Sequence, residues 1–129
     1  MPYLRVRIAT HATTVTAAQV ASTLTDLAVN KLGKNAAAAA VDVHFSAPSD
    51  WFIGGQALAP DQSSFFIEIK LTAGTNTRDE KAAFIKAAYQ AMSKLLPHVA
   101  TTSYIVLQDV GADSWGYGGE TQEFRYIHG

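Results

Sequence analysis

Ser49-Asp50-Trp51-Phe52-Ile53-Gly54-Gly55-Gln56 returns 64 residues later as Asp113-Ser114-Trp115-Gly116-Tyr117-Gly118-Gly119-Glu120. The tryptophans, the glycine pairs and the closing Gln/Glu coincide. The match extends upstream of both copies. Val41-Asp42-Val43-His44-Phe45 falls on Ile105-Val106-Leu107-Gln108-Asp109. Val20, Leu24, Ala28 and Leu32 fall on Phe84, Ala88, Met92 and Leu96, a stripe at helical spacing. Nearer each start the offset becomes 63, so that Leu4, Val6 and Ile8 meet Ile67, Ile69 and Leu71. The second copy therefore carries one extra residue between its first strand and its helix. Two copies of one unit imply a duplicated supersecondary element with a pseudo-twofold axis, since solenoid arrays need at least three units to bury a core.

Each copy reads alike. Residues 3–9 alternate apolar and polar with the period of a strand. Residues 13–31 have helical periodicity, with Thr13 or Thr14 as cap and Gly33 just beyond the end. Residues 40–46 form a second strand. Residues 51–58 read as a short hairpin or edge strand turned by Gly54-Gly55. In the second copy, 65–72 is a strand and 77–96 a helix. Thr77 is its cap, Glu80 occupies the capping-box position and Pro97 ends it. Residues 103–109 form a strand and 121–127 a final short strand.

Two strands joined by a helix of this length make a right-handed parallel βαβ unit. Two such units predict an α/β (α+β) fold. It has one four-stranded mixed sheet and both helices on one face. The chain is expected to be a single domain, 1–129, with repeat 1 at about 2–58, a linker at 59–63 and repeat 2 at about 64–129. The sheet face away from the helices would carry Tyr3, Arg5, Arg7, Phe66, Glu68 and Lys70. That set is too aromatic for plain surface and too charged for plain core. Burial in a symmetric oligomer accounts for it; a solvated face with cross-strand ion pairs is the alternative.

Composition narrows the function. The chain has 129 residues, 48% of them hydrophobic and 16% charged, enough to bury a core. Ten basic and eleven acidic side chains give a net charge of −1, which offers no footprint for nucleic acid or an anionic membrane. With no cysteine, disulfides, zinc fingers, iron–sulfur ligation and thiol catalysis are excluded. No run approaches the roughly 18 apolar residues of a membrane helix. Residues 1–7 show no apolar signal core, so a cytoplasmic protein is expected. His11, His44, His98 and His128 do not cluster and form no HExxH, so no metal is predicted. Gly116-Tyr117-Gly118-Gly119 follows a strand but opens no helix, so it is no phosphate loop.

Met1-Pro2, the strand–helix–strand pattern and the two copies of the Trp-x-x-Gly-Gly-Gln/Glu stretch resemble the tautomerase superfamily over essentially the whole chain. That group includes 4-oxalocrotonate tautomerase, macrophage migration inhibitory factor, malonate semialdehyde decarboxylase and cis-3-chloroacrylic acid dehalogenase. Trp115 to Glu120 is similar to the hairpin of the first. Leu32-Gly33-Lys34 and Tyr104-Ile105 look more like the second. The resemblance implies a fold of duplicated βαβ units, a homotrimer and no cofactor.

It also implies chemistry. If Met1 is removed, Pro2 becomes an N-terminal secondary amine. An ordinary α-amino group titrates at about 7.7–8, and an apolar pocket lowers that value by disfavouring the charged form. A base poised near working pH suits proton transfer from carbon beside a carbonyl. The family mechanism then has Pro2 take a proton from one position of a small keto or enol acid and return it to another. With Met1 attached, Pro2 is an amide nitrogen and has no such role. The second copy starts near Phe65, which has no free amine, so one proline site per chain is expected.

The remaining candidates come from the same resemblance. Lys34 matches a pocket lysine that binds a carboxylate, or is an exposed lysine after a helix. Tyr104 matches a pocket tyrosine, or packs at an interface. Trp115 falls where the family has an aromatic wall that would desolvate Pro2, or packs its hairpin. Tyr117 is a weaker candidate for the same wall. The loops Thr10-His11-Ala12 and Thr72 to Thr77 lack the arginines of the relatives. Arg78 lies one turn late, either reaching back or solvated. A bidentate clamp for a dicarboxylate is therefore not evident. The expected function is a cofactor-independent keto–enol tautomerase of a small 2-keto/2-hydroxyenoic acid. The alternatives are a related hydratase, decarboxylase or dehalogenase of a small unsaturated acid, and a non-catalytic trimeric binding protein.

Overall fold

The structure, a computed structural model, describes residues 2–129. Removal of Met1, on which the chemistry above depends, lies outside the described residues.

The first repeat runs β1 (Tyr3–Ala9), α1 (Ala17–Leu32), β2 (Ala40–Ser46) and a two-strand hairpin, β3 (Phe52–Ile53) and β4 (Gln56–Ala57). The second runs β5 (Ser64–Thr72), α2 (Arg78–Leu95), β6 (Tyr104–Val110), a hairpin of β7 (Gly116–Tyr117) and β8 (Glu120–Thr121), and α3 (Gln122–His128). The main sheet has the order β2-β1-β5-β6. Its outer pairs are parallel, as βαβ units require, and its central pair is antiparallel.

Strand alternation decides what is buried. Leu4, Val6 and Ile8 of β1 and Phe65, Ile67, Ile69 and Leu71 of β5 turn to the helices and are essentially inaccessible. The repeated helical stripe meets them: Val20, Leu24, Ala28 and Leu32 from α1, and Phe84, Ala88, Met92 and Leu96 from α2 and its cap. Every residue of the stripe read from the repeat lies in this core. The opposite sheet face stays open in the protomer, with Tyr104 64% exposed and Tyr3 at 36%. There, Lys70 pairs with Glu68 of its own strand at 3.7 Å, and its Nζ donates to Gln108 Oε1 at 2.7 Å.

Two boundaries differ from expectation. Helix α1 starts at Ala17 with Thr16 as its cap, later than the Thr13 or Thr14 start. The cause is a capping box. Thr16 Oγ1 accepts from Gln19 N, and Thr16 N donates to Gln19 Oε1. The stretch 121–127, expected as a strand, is helix α3. Thr121 Oγ1 accepts from Phe124 N, and Gln122 N and Glu123 N donate to Trp115 O and Ala112 O. These bonds coil the chain directly after β8. The expected Thr77–Glu80 box is present at α2, and Gly33, at φ 67°, closes α1.

The two repeats are also tied where α1 ends and α2 begins. Asn76 Nδ2 donates to Leu32 O at 2.9 Å, and Lys34 Nζ donates to Thr75 Oγ1 at 3.0 Å. Lys34 is buried, at 9% exposure. Burial pushes its ammonium below the usual lysine range, against the opposing fields of Glu80 and Asp109.

Two outcomes follow for stability. Thr77→Ala removes the side-chain half of the α2 box and should cost about 1 kcal/mol in urea unfolding; an unchanged midpoint would show that the cap is not needed. For Lys34, the charged form is the disfavoured one in the folded state. Its cost is therefore fully felt at neutral pH and fades as pH rises through the lowered folded value. Lys34→Met should melt at or above the parent at pH 7, with the difference narrowing as the buffer becomes more alkaline. A variant that melts lower at pH 7 would mean that the Thr75 bond outweighs the desolvation.

Candidate active site

The antiparallel register of β1 on β5 pairs Tyr3 with Lys70. The start of β1 is therefore beside the end of β5, where the chain leaves for α2. Pro2 lies at this point and is fully buried. Its carbonyl accepts from Ala40 N at 3.3 Å, which fixes it against the start of β2.

A cavity of about 450 Å³ opens over Pro2. The run Ala37 to Ala40 lines one side and leaves it wide, since alanine side chains fill little space. Trp115, Gly116 and Tyr117, at the β7–β8 hairpin, form another wall, and Tyr3, Lys70 and Gln122 complete the lining. The hairpin is held in place. The Trp115 indole Nε1 donates to Thr72 Oγ1 at 3.2 Å, at the end of β5. Gly116 packs so tightly that a Cβ there would overlap the Glu120 backbone. Arg125 of α3 stacks its guanidinium 3.8 Å from the centre of the Tyr117 ring and donates to Tyr117 O at 2.8 Å. The wall over Pro2 is thus built by the second repeat, while the proline comes from the first.

Of the residues singled out from sequence, Pro2, Trp115 and Tyr117 share this cavity. Lys34, Arg78 and Tyr104 do not line it. Lys34 is occupied with Thr75. Arg78 is the first residue of α2 and is exposed. Tyr104 stands at the start of β6 opposite Phe66, on the open sheet face. Lys70 and Gln122 do line it and were not singled out. Lys70 was legible only as an open-face strand residue. The offset of 63 between first strands was the available signal, because a twofold pairing of those strands puts Lys70 next to Tyr3. Gln122 was hidden by the reading of 121–127 as a strand.

In a cavity lined by Ala37–Ala40 and the rings of Tyr3, Trp115 and Tyr117, a free amine at Pro2 would be poorly solvated, and its charged form would be disfavoured. Among the described residues, no three His, Asp or Glu side chains come together as a metal site. No helix among them is long and apolar enough to cross a membrane.

Comparison with known proteins agrees with this architecture. Residues 66–125 match the family model described as Tautomerase enzyme. No curated protein sequence matches the chain. Among solved structures, a wild-type fused 4-OT in a symmetric trimer is 25% identical and superposes with a TM-score of 0.81, over 94% of this chain and 96% of that one. A macrophage migration inhibitory factor-like protein from Entamoeba histolytica is 18% identical, with a TM-score of 0.76 over 93% and 97%. FG41 malonate semialdehyde decarboxylase inhibited by 3-bromopropiolate is 17% identical, with a TM-score of 0.72 over 97% and 95%. The second repeat thus matches the Tautomerase enzyme family model, and the architecture of nearly the whole chain is similar to that of fused 4-OT.

Proposed function

We propose that the chain, once Met1 is removed, is a cofactor-independent keto–enol tautomerase of a small 2-keto/2-hydroxyenoic acid. The observation that carries this reading is the burial of Pro2 at a cavity walled by Trp115 and Tyr117. The neutral Pro2 nitrogen takes a proton from C3 of the keto acid. The C–H electron pair becomes the C2–C3 double bond, and the carbonyl π pair moves to oxygen. The same proton, now on Pro2, is delivered to that oxygen to give the enol. The reverse sequence ketonises. Atoms and charge balance without an added reagent, and the single base serves both ends of the transfer. The aromatic wall and the alanines exclude water and keep the amine basic enough to act yet largely unprotonated.

A homotrimer and a cytoplasmic location belong to the same proposal. The fused 4-OT relative is a symmetric trimer, and the exposed Tyr3, Tyr104 and Val106 on the open sheet face support assembly. Hydration or decarboxylation of an unsaturated acid would call for several cations around Pro2. Among the described residues Lys70 is the cation lining the cavity, which favours the tautomerase.

Two measurements test the reading. The intact mass of protein made in its native host should lack Met1; retention of Met1 would remove the base. Ketonisation of phenylenolpyruvate by processed protein should then fall at least about a hundredfold in kcat for Pro2→Ala. Equal rates for parent and variant would reject Pro2 as the proton carrier.

A further inference from the structure

Two polar groups in the Pro2 cavity have no part in the proton transfer. Gln122 is 6% exposed and lines the cavity, yet its Nε2 has no hydrogen-bond partner. Buried donors are nearly always satisfied, and one left open beside a cavity points to a ligand. Its position is fixed from behind. Thr121 caps α3, and Gln122 N donates to Trp115 O at 3.0 Å, so the side chain starts from the base of the aromatic wall.

Lys70 enters from the sheet. Its ammonium has three donors. One reaches Gln108 Oε1 at 2.7 Å, and Glu68 Oε1 lies at 3.7 Å. Capacity remains for a further acceptor, and the 35% exposure of its side chain leaves it reachable. Arg125, one turn after Gln122, is differently engaged. Its Nη2 donates to Tyr117 O and lies 3.5 Å from Glu120, and its guanidinium stacks on the Tyr117 ring; its Nε, like Gln122 Nε2, has no partner, but Arg125 does not line the Pro2 cavity.

We propose that Lys70 and Gln122 together hold the carboxylate of the substrate, Lys70 as the cation and Gln122 as a neutral N–H donor. This rests on the tautomerase reading and specifies its substrate class. The rest of the lining is alanine, proline, glycine and aromatic. The cavity therefore suits a monocarboxylate 2-keto acid with an apolar or aromatic tail. A second carboxylate would lie against alanines with no cation to meet it. The pair stands in the cavity where the loops of both repeats bring no arginine.

The test uses benzoylformate, a 2-keto acid with no C3 hydrogen, and its neutral methyl ester. Binding to the processed full chain is followed by calorimetry. Because the probe cannot enolise, the result does not depend on Pro2 acting as a base. Gln122→Leu and Lys70→Gln should each weaken acid binding about tenfold or more and leave ester binding unchanged. Lys70→Arg should restore most of the acid affinity. Melting temperatures check folding, and Lys70→Gln, outside the helix-facing core, keeps the test open should Gln122→Leu not fold. Three results would overturn the proposal: no binding of the acid by the parent, unchanged acid affinity in both variants, or equal weakening of acid and ester.

Discussion

The antiparallel seam between β1 and β5 is the constraint on which the rest depends. The first strands of the two repeats are related by an offset of 63, which makes Glu68 the repeat mate of Arg5. The same two residues are direct cross-strand partners. The pseudo-twofold axis therefore passes between an arginine and a glutamate. Each repeat's parallel partner is forced to the outside, and both helices fall on one face. A slip of one residue would turn Leu4, Val6 and Ile8 away from α1 and α2 and bring Tyr3, Arg5 and Arg7 into the core. The register is thus fixed by burial, and the site inherits that precision.

The seam also explains why the site is shared between repeats. It sets the start of β1 beside the end of β5, so Pro2 of the first repeat lies under the hairpin that follows the second. Symmetry supplies a matching place at the other end of the seam. There the residue equivalent to Pro2 is Phe65, a fully buried core side chain inside a continuous strand. Duplication gave two equivalent positions, and one of them was given over to packing. Phe65 fills the core at one end, while the other end keeps a cavity lined on one side by Ala37 to Ala40.

Much of the fold was legible because the repeat doubled every signal. Val20, Leu24, Ala28 and Leu32 alone fit many amphipathic helices; their recurrence at Phe84, Ala88, Met92 and Leu96 marks one core. The strands and the two glycine-turned hairpins were legible for the same reason, and the Thr77–Glu80 box was legible from its own spacing. What escaped was local. The start of α1 turned on whether Thr13, Thr14 or Thr16 had a partner three residues on, and only Gln19 can close the box. Helix α3 has no counterpart in the first repeat, so no second copy marks it; the Thr121 cap and the bonds to Trp115 and Ala112 are what coil it. Of the cavity lining, Pro2, Trp115 and Tyr117 were legible, at the start of β1 and in the repeated hairpin. Lys70 and Gln122 depend on long-range placement. One faces the cavity because of strand register, the other because a seven-residue helix begins where it does.

Placing Pro2 in a buried, largely apolar cavity has a direct electrostatic consequence. The most immediate check is the titration of its nitrogen in processed protein carrying 15N-labelled proline, followed by NMR. The buried amine should titrate below the about 7.7–8 of an ordinary α-amino group. A midpoint at or above that range, or a nitrogen that does not titrate, would contradict the account.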